Sequence, residues 1–144
     1  SPELRERCAR GPARGHAELA ADARAHLGKG DRAGAVACFR AALEPAILAE
    51  VHRANAWFLT GERGRAVAGQ EAVLARAPEH PEALYFLALF LGDTAGEDVA
   101  QLRRAQGLLD RVARQELPEA RAADVRTASE ELGRRIAEAG IGGR

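Results

Sequence analysis

Methionine is absent from all 144 residues, lysine occurs once, at Lys29, and aromatic residues make up only 4% of the chain. A chain without methionine at its start is expected to be processed or an excised soluble segment, so the lack of a signal peptide or anchor excludes little. Cysteine is nearly absent too. Cys8 and Cys38 match no zinc or redox spacing, which leaves either a disulfide in an oxidising compartment or two free, partly buried thiols. Long hydrophobic runs are also missing. The longest, Ala83 to Leu91, would span about 14 Å as a helix, under half of what a bilayer requires, so this segment is expected not to insert into a membrane. Excess charge of either sign is lacking: Lys plus Arg and Asp plus Glu are 21 each. No overall field draws the chain to nucleic acid or to an anionic membrane surface.

What remains is dominated by Ala, Leu, Arg and Glu, all strong helix formers, with few β-branched residues. The hydrophobic fraction of 47% is largely alanine. That combination predicts an all-α fold of thin helices that approach one another closely, in a chain long enough for one domain with a hydrophobic core. Turn signals divide the sequence at Gly28-Lys29-Gly30-Asp31, Gly61-Glu62-Arg63-Gly64, Ala77-Pro78-Glu79-His80-Pro81, Gly92-Asp93-Thr94-Ala95-Gly96 and Leu117-Pro118. Between them the spacing predicts helices over 13–28, 32–44, 46–60, 64–77, 81–91, 97–115 and 119–138, with a frayed tail over 139–144. Residues 1–10 are expected to add a short leading turn. Leu102, Ala105, Leu109 and Val112 form one apolar stripe; Val125, Ser129, Leu132 and Ile136 form another on a last helix suited to capping.

One phrase occurs twice. GDRAGAVACFRAAL begins at Gly30 and GERGRAVAGQEAVL at Gly61, with seven of fourteen positions identical. In each copy a glycine accepts the left-handed backbone between two helices, and Asp31 or Glu62 favours the positive end of the next helix. Ala35 and Ala66 are expected at the crossing of a helical hairpin. Val36 and Val67, with Leu43 and Leu74, repeat a core stripe. A repeat of this size cannot bury its own apolar face, so neighbours must stack on it.

These residues resemble the tetratricopeptide repeat family, whose second helix reads A-x3-F and later P, with a glycine five residues before the alanine. Gly30, Ala35 and Phe39 follow that pattern, as do Gly61, Ala66 and Pro78, with Gln70 replacing the aromatic. Ala105, Leu109 and Pro118 form a third, divergent copy. The first-helix pattern W-x2-L-G-x2-Y survives best as Leu84, Leu87, Ala88 and Leu91, with Trp57 at an aromatic core position. The resemblance implies a right-handed α-solenoid of about three repeats, over 13–44, 46–77 and 81–115, with 119–138 as capping helix. It also implies a concave groove lined by first helices that holds a peptide or partner helix. On that register the groove presents Ala20, Arg24, Val51, His52, Asn55, Phe58, Glu82, Tyr85, Phe86 and Leu89. Arg24 would pair with an acidic side chain or C-terminus, and Asn55 would bond a peptide backbone. Tyr85 would anchor an apolar or mixed ligand.

The stretch 82–91 gives separate support, because a helix apolar all round must be buried on every side or lend a face to a partner. Either the helix over 46–60 and the last helix cover Tyr85, Phe86 and Leu89, or those residues form a partner site. A clamp of Lys, Arg and Asn for a C-terminal carboxylate, found in some family members, is not assembled. Nothing points to catalysis. His16, His26, His52 and His80 lie on separate segments with no ligand spacing, no phosphate loop follows a strand, and the acidic loop at 92–98 lacks the alternating oxygens of a calcium site. No cofactor or metal is expected. The expected function is a non-catalytic protein-binding scaffold. Two alternatives stand beside it: a homo-oligomeric scaffold, and a periplasmic module holding apocytochrome tails, since the end of the chain resembles tetratricopeptide subunits of bacterial cytochrome c biogenesis.

Overall fold

The structure is a computed structural model that describes residues 16–142, and among them every regular element is an α-helix. The six helices are α1 (His16–Gly28), α2 (Arg32–Leu59), α3 (Arg63–Arg76), α4 (Pro81–Ala95), α5 (Val99–Ala113) and α6 (Glu119–Gly142). The leading turn over 1–10, Cys8 and the start of the first helix at 13 lie outside the described residues. The chain divides into two compact units, Ser1–Ala49 and Glu50–Arg144, and the boundary falls within α2.

Two of the expected breaks are absent. Helices placed over 32–44 and 46–60 are one helix, and Pro45 lies inside it. Proline removes one N–H and crowds the carbonyl four residues back. Here Pro45 is exposed, and the alanines, Leu43 and Glu44 around it favour helix. Gly92 to Ala95 also stay helical, and the chain turns only at Gly96, where φ is +57°. The Thr94 hydroxyl donates back to Phe90 O at 3.0 Å, Gln101 Nε2 to Leu91 O at 3.0 Å and Arg135 Nη1 to Gly92 O at 2.8 Å, so side chains add bonds to the carbonyls of the last two turns. The tail expected to fray is helical to Gly142.

In the first unit the turn after α1 is built as the glycine spacing implies. Gly30 takes φ +75°, and Asp31 N donates to His26 O at 2.8 Å. Asp31 caps α2, its Oδ1 accepting from Gly34 N at 3.0 Å, while its Oδ2 pairs with His26 Nδ1 at 2.9 Å. Gly34 must stay small, because a Cβ there would stand 2.4 Å from Asp31 Oδ2. Ala23, Ala35, Cys38 and Ala42 are buried, and Ala23 packs with Cys38. The core stripe expected here was Val36 and Leu43. Both are exposed, at 47% and 51%, and Phe39 with them at 38%. The buried stripe lies one residue round the helix, about 100° away. Cys38 lies on that buried face, fully buried and disulfide-bonded, not a free thiol.

The second unit is built around α4. Its N-terminus combines Pro81 at the first helical position with His80 Nδ1 accepting from Ala83 N at 3.3 Å. Helix α3 packs on α4, α4 on α5, α5 on α6, and α6 reaches back to α4. This succession of neighbours is an all-α stack of the helical-repeat kind. Its core joins Leu84, Leu87 and Leu91 of α4 to Leu102, Leu109 and Val112 of α5 and to Val125 and Leu132 of α6. The stripes read on α5 and α6 are therefore the buried ones, with Ile136 packed at the core's edge and the Ser129 hydroxyl accepting from Gln106 at 3.1 Å. Ala66 is fully buried where α3 starts, while Val67 and Leu74, unlike Val36 and Leu43, lie against the core. Gly61 takes φ +89°, but Glu62 makes no side-chain cap and pairs with Arg65 instead.

Candidate functional site

Three of the ten expected groove residues, Phe58, Tyr85 and Phe86, come together in one run of rings. Phe58, near the end of α2, stacks on Phe90 of α4 with centroids 4.3 Å apart and planes 7° from parallel. Phe90 continues to Phe86 at 6.3 Å, and Phe86 meets Tyr85 edge-on at 5.2 Å. The four rings form one continuous run across two helices. Such contacts add to what area burial alone supplies. Phe90 is buried and was not among the expected residues; its four-residue spacing from Phe86 on one helix face was the signal for it.

The covering of the 82–91 face by neighbouring helices is partial. Helix α2 covers Phe90 through Phe58, and α6 covers Tyr85, which is only 8% exposed. Phe86 and Leu89 are left half-buried at the edge of the core. Tyr85 is thus an interior anchor, and Phe86 and Leu89 carry the open surface.

Arginines line this run. Arg63 lies 5.3 Å over Phe58, and Arg121 of α6 lies 4.4 Å over Tyr85 and 5.4 Å over Phe86. Arg121 also forks onto Glu82, with Nε donating to Oε1 at 3.1 Å and Nη2 to Oε2 at 2.9 Å. Burial pushes the Tyr85 hydroxyl above its ordinary ionisation range; the Asp124 carboxylate adds to the shift and Arg121 opposes it.

The remaining residues are placed otherwise. Asn55 turns its carbonyl to α3, where Oδ1 accepts from Gln70 Nε2 at 2.9 Å, so it braces a hairpin instead of offering that oxygen to a peptide. Val51 is fully buried, and its backbone oxygen accepts from the same Gln70 nitrogen at 3.1 Å. Gln70 stands where the resemblance calls for an aromatic, and it supplies polar bonds to α2 in place of ring contacts. His52 is exposed on α2. Arg24 is exposed on α1 in the first unit, and the Ala20 side chain lies outside the described set. Trp57, expected in the core, is half-buried. It packs where a Cβ on Gly69 would stand 3.1 Å from its ring, and Arg65 covers it at 4.1 Å.

A different surface, not singled out by the sequence, is the depression of about 600 Å³ between α3, α4 and α5. Leu74, Ala75, Leu87, Gly107 and Leu108 line it, and the Arg104–Glu71 pair closes one side at 3.0 Å. Among the described residues no three His, Cys, Asp or Glu side chains are placed to share a metal ion, and no helix is long and apolar enough to cross a membrane. No family model matches the chain, and comparison with the curated proteins and with the solved structures yields no match.

Proposed function

We propose that the chain is a non-catalytic interaction scaffold of tetratricopeptide type, which grips a peptide or partner helix on the face carrying Phe86 and Leu89. The observation that carries this is the ring run Phe58–Phe90–Phe86–Tyr85, anchored inside and half-open outside. Rigid rings fixed from below lose little freedom when a ligand covers them, which is what an apolar contact site needs. Phe86 and Leu89 would take apolar side chains of the ligand.

Selection of displayed random peptides on the full chain, followed by calorimetry, tests the proposal. Peptides rich in apolar residues should be enriched, and the pair Phe86→Ala with Leu89→Ala should weaken their binding at least about tenfold, or 1.4 kcal/mol, with helicity retained. Tyr85 is unsuited to this test because its loss would open the core. Equal binding by wild type and variant would refute the placement.

The disulfide at Cys38 favours one narrower reading. Disulfides persist in oxidising compartments, where a periplasmic module that holds apocytochrome tails would also sit.

A further inference from the structure

We infer that the Glu82 carboxylate with the Tyr85 and Phe86 rings forms a receptor for a guanidinium cation, that Arg121 is its built-in occupant, and that an arginine of a bound peptide displaces it. This deepens the peptide-binding reading and rests on it for the source of the incoming arginine.

Every receptor group comes from one helix. Positions 82, 85 and 86 are three and four residues apart, so they share a face of α4. The receptor therefore does not need α6 for its shape. Its chemistry is that of a guanidinium site. A planar fork accepts two parallel bonds from one carboxylate, here at 3.1 and 2.9 Å, while ring faces stack on the cation at 4.4 and 5.4 Å. An ammonium would satisfy the charge but neither the fork nor the stacking.

The occupant is held in a manner that permits release. Arg121 and Glu82 keep 24% and 27% of their side-chain surface in solvent, so an incoming cation can reach them. Arg121 lies in the first turn of α6, where the helix dipole disfavours positive charge. A second acceptor on its own helix already shares it: Asp124 Oδ2 accepts from Arg121 Nη1 at 3.4 Å, and Asp124 is 56% exposed. Arg121 can swing outward to Asp124 without losing a carboxylate partner. Phe86 belongs both to this receptor and to the proposed contact face, so one ligand would cover both.

The test uses the full chain, ethylguanidinium chloride as probe, and the ring resonances of Tyr85, the chain's single tyrosine. In Arg121→Ala the probe should shift these resonances saturably, and in wild type with an affinity at least about tenfold weaker, because Arg121 competes. Sodium chloride should do nothing, and adding Glu82→Gln to Arg121→Ala should abolish saturation. Acetyl-Ala-Arg-Ala-amide should bind Arg121→Ala as the probe does, whereas the same peptide with norleucine should not. Arg121→Gln, which keeps side-chain length, runs in parallel, with melting as a second readout: the probe should raise the midpoint of either variant and not of wild type. Linear shifts alike in all proteins would overturn the inference, as would a variant that loses its fold and is not restored by the probe. Saturation by ethylguanidinium with no peptide selected on the wild-type chain would refute the peptide reading alone. Selected peptides without saturation would refute the receptor alone.

Discussion

Two side chains in the second unit show how single residues were both legible and misread. Gln70 sits at a repeat position where an aromatic belongs, and spacing alone marks it as a defect. In the folded chain it is fully buried and donates to both Val51 O and Asn55 Oδ1, which ties α3 to α2. No local pattern announces a bond between residues 15 and 19 apart. Tyr85 is the opposite case: its place on an apolar helix was legible, its depth was not. Because burial disfavours the phenolate, Tyr85 should ionise above its ordinary value of 10.0. The sign of the linkage follows. The folded chain then keeps a proton that the unfolded chain gives up, so this contribution to stability is complete below about pH 10 and is lost as pH rises through the folded value. Phenolate absorbance of this single tyrosine measures it directly. A midpoint at or below 10.0 would show that the ring is not packed as described.

At the scale of the element, the two copies of the repeated phrase have come apart. Leu43 and Leu74 occupy equivalent positions, yet Leu43 is 51% exposed while Leu74 packs against the core. Spacing recognises that a stripe exists but not which face turns inward, and in the first copy the buried face, with Ala35, Cys38 and Ala42, lies about 100° away. Leu43→Ala should therefore change stability by less than about 0.5 kcal/mol, whereas Leu74→Ala should cost about 1–3 kcal/mol in urea unfolding. Equal losses would restore the symmetrical reading. Pro45 makes the other element-scale point. It stands at the boundary expected between 44 and 46, and it is instead an imperfection inside α2. Pro45→Ala supplies the missing N–H and removes the crowding, so it should stabilise the chain by about 1–3 kcal/mol without changing the urea slope. A loss of stability would mean that α2 is not continuous there.

For the molecule as a whole, helix order and most boundaries followed from glycine and proline punctuation, but helix number did not, since the segments over 32–44 and 46–60 are one helix. The α5 and α6 stripes followed from periodicity. The site was legible only as an apolar surplus on 82–91. Its organisation depends on Phe58 arriving from α2 and Arg121 from α6, and partners 32 and 39 residues away leave no mark on local spacing. The central claim is that the face bearing Phe86 and Leu89 holds a polypeptide. The most direct measurement is nuclear magnetic resonance mapping of a selected peptide on the isotopically labelled chain. Residues 50–59 and 82–90 should shift on binding, and Glu71, Leu74, Arg104 and Leu108 around the other depression should stay still. Shifts confined to that depression, or no peptide bound at all, would contradict the account.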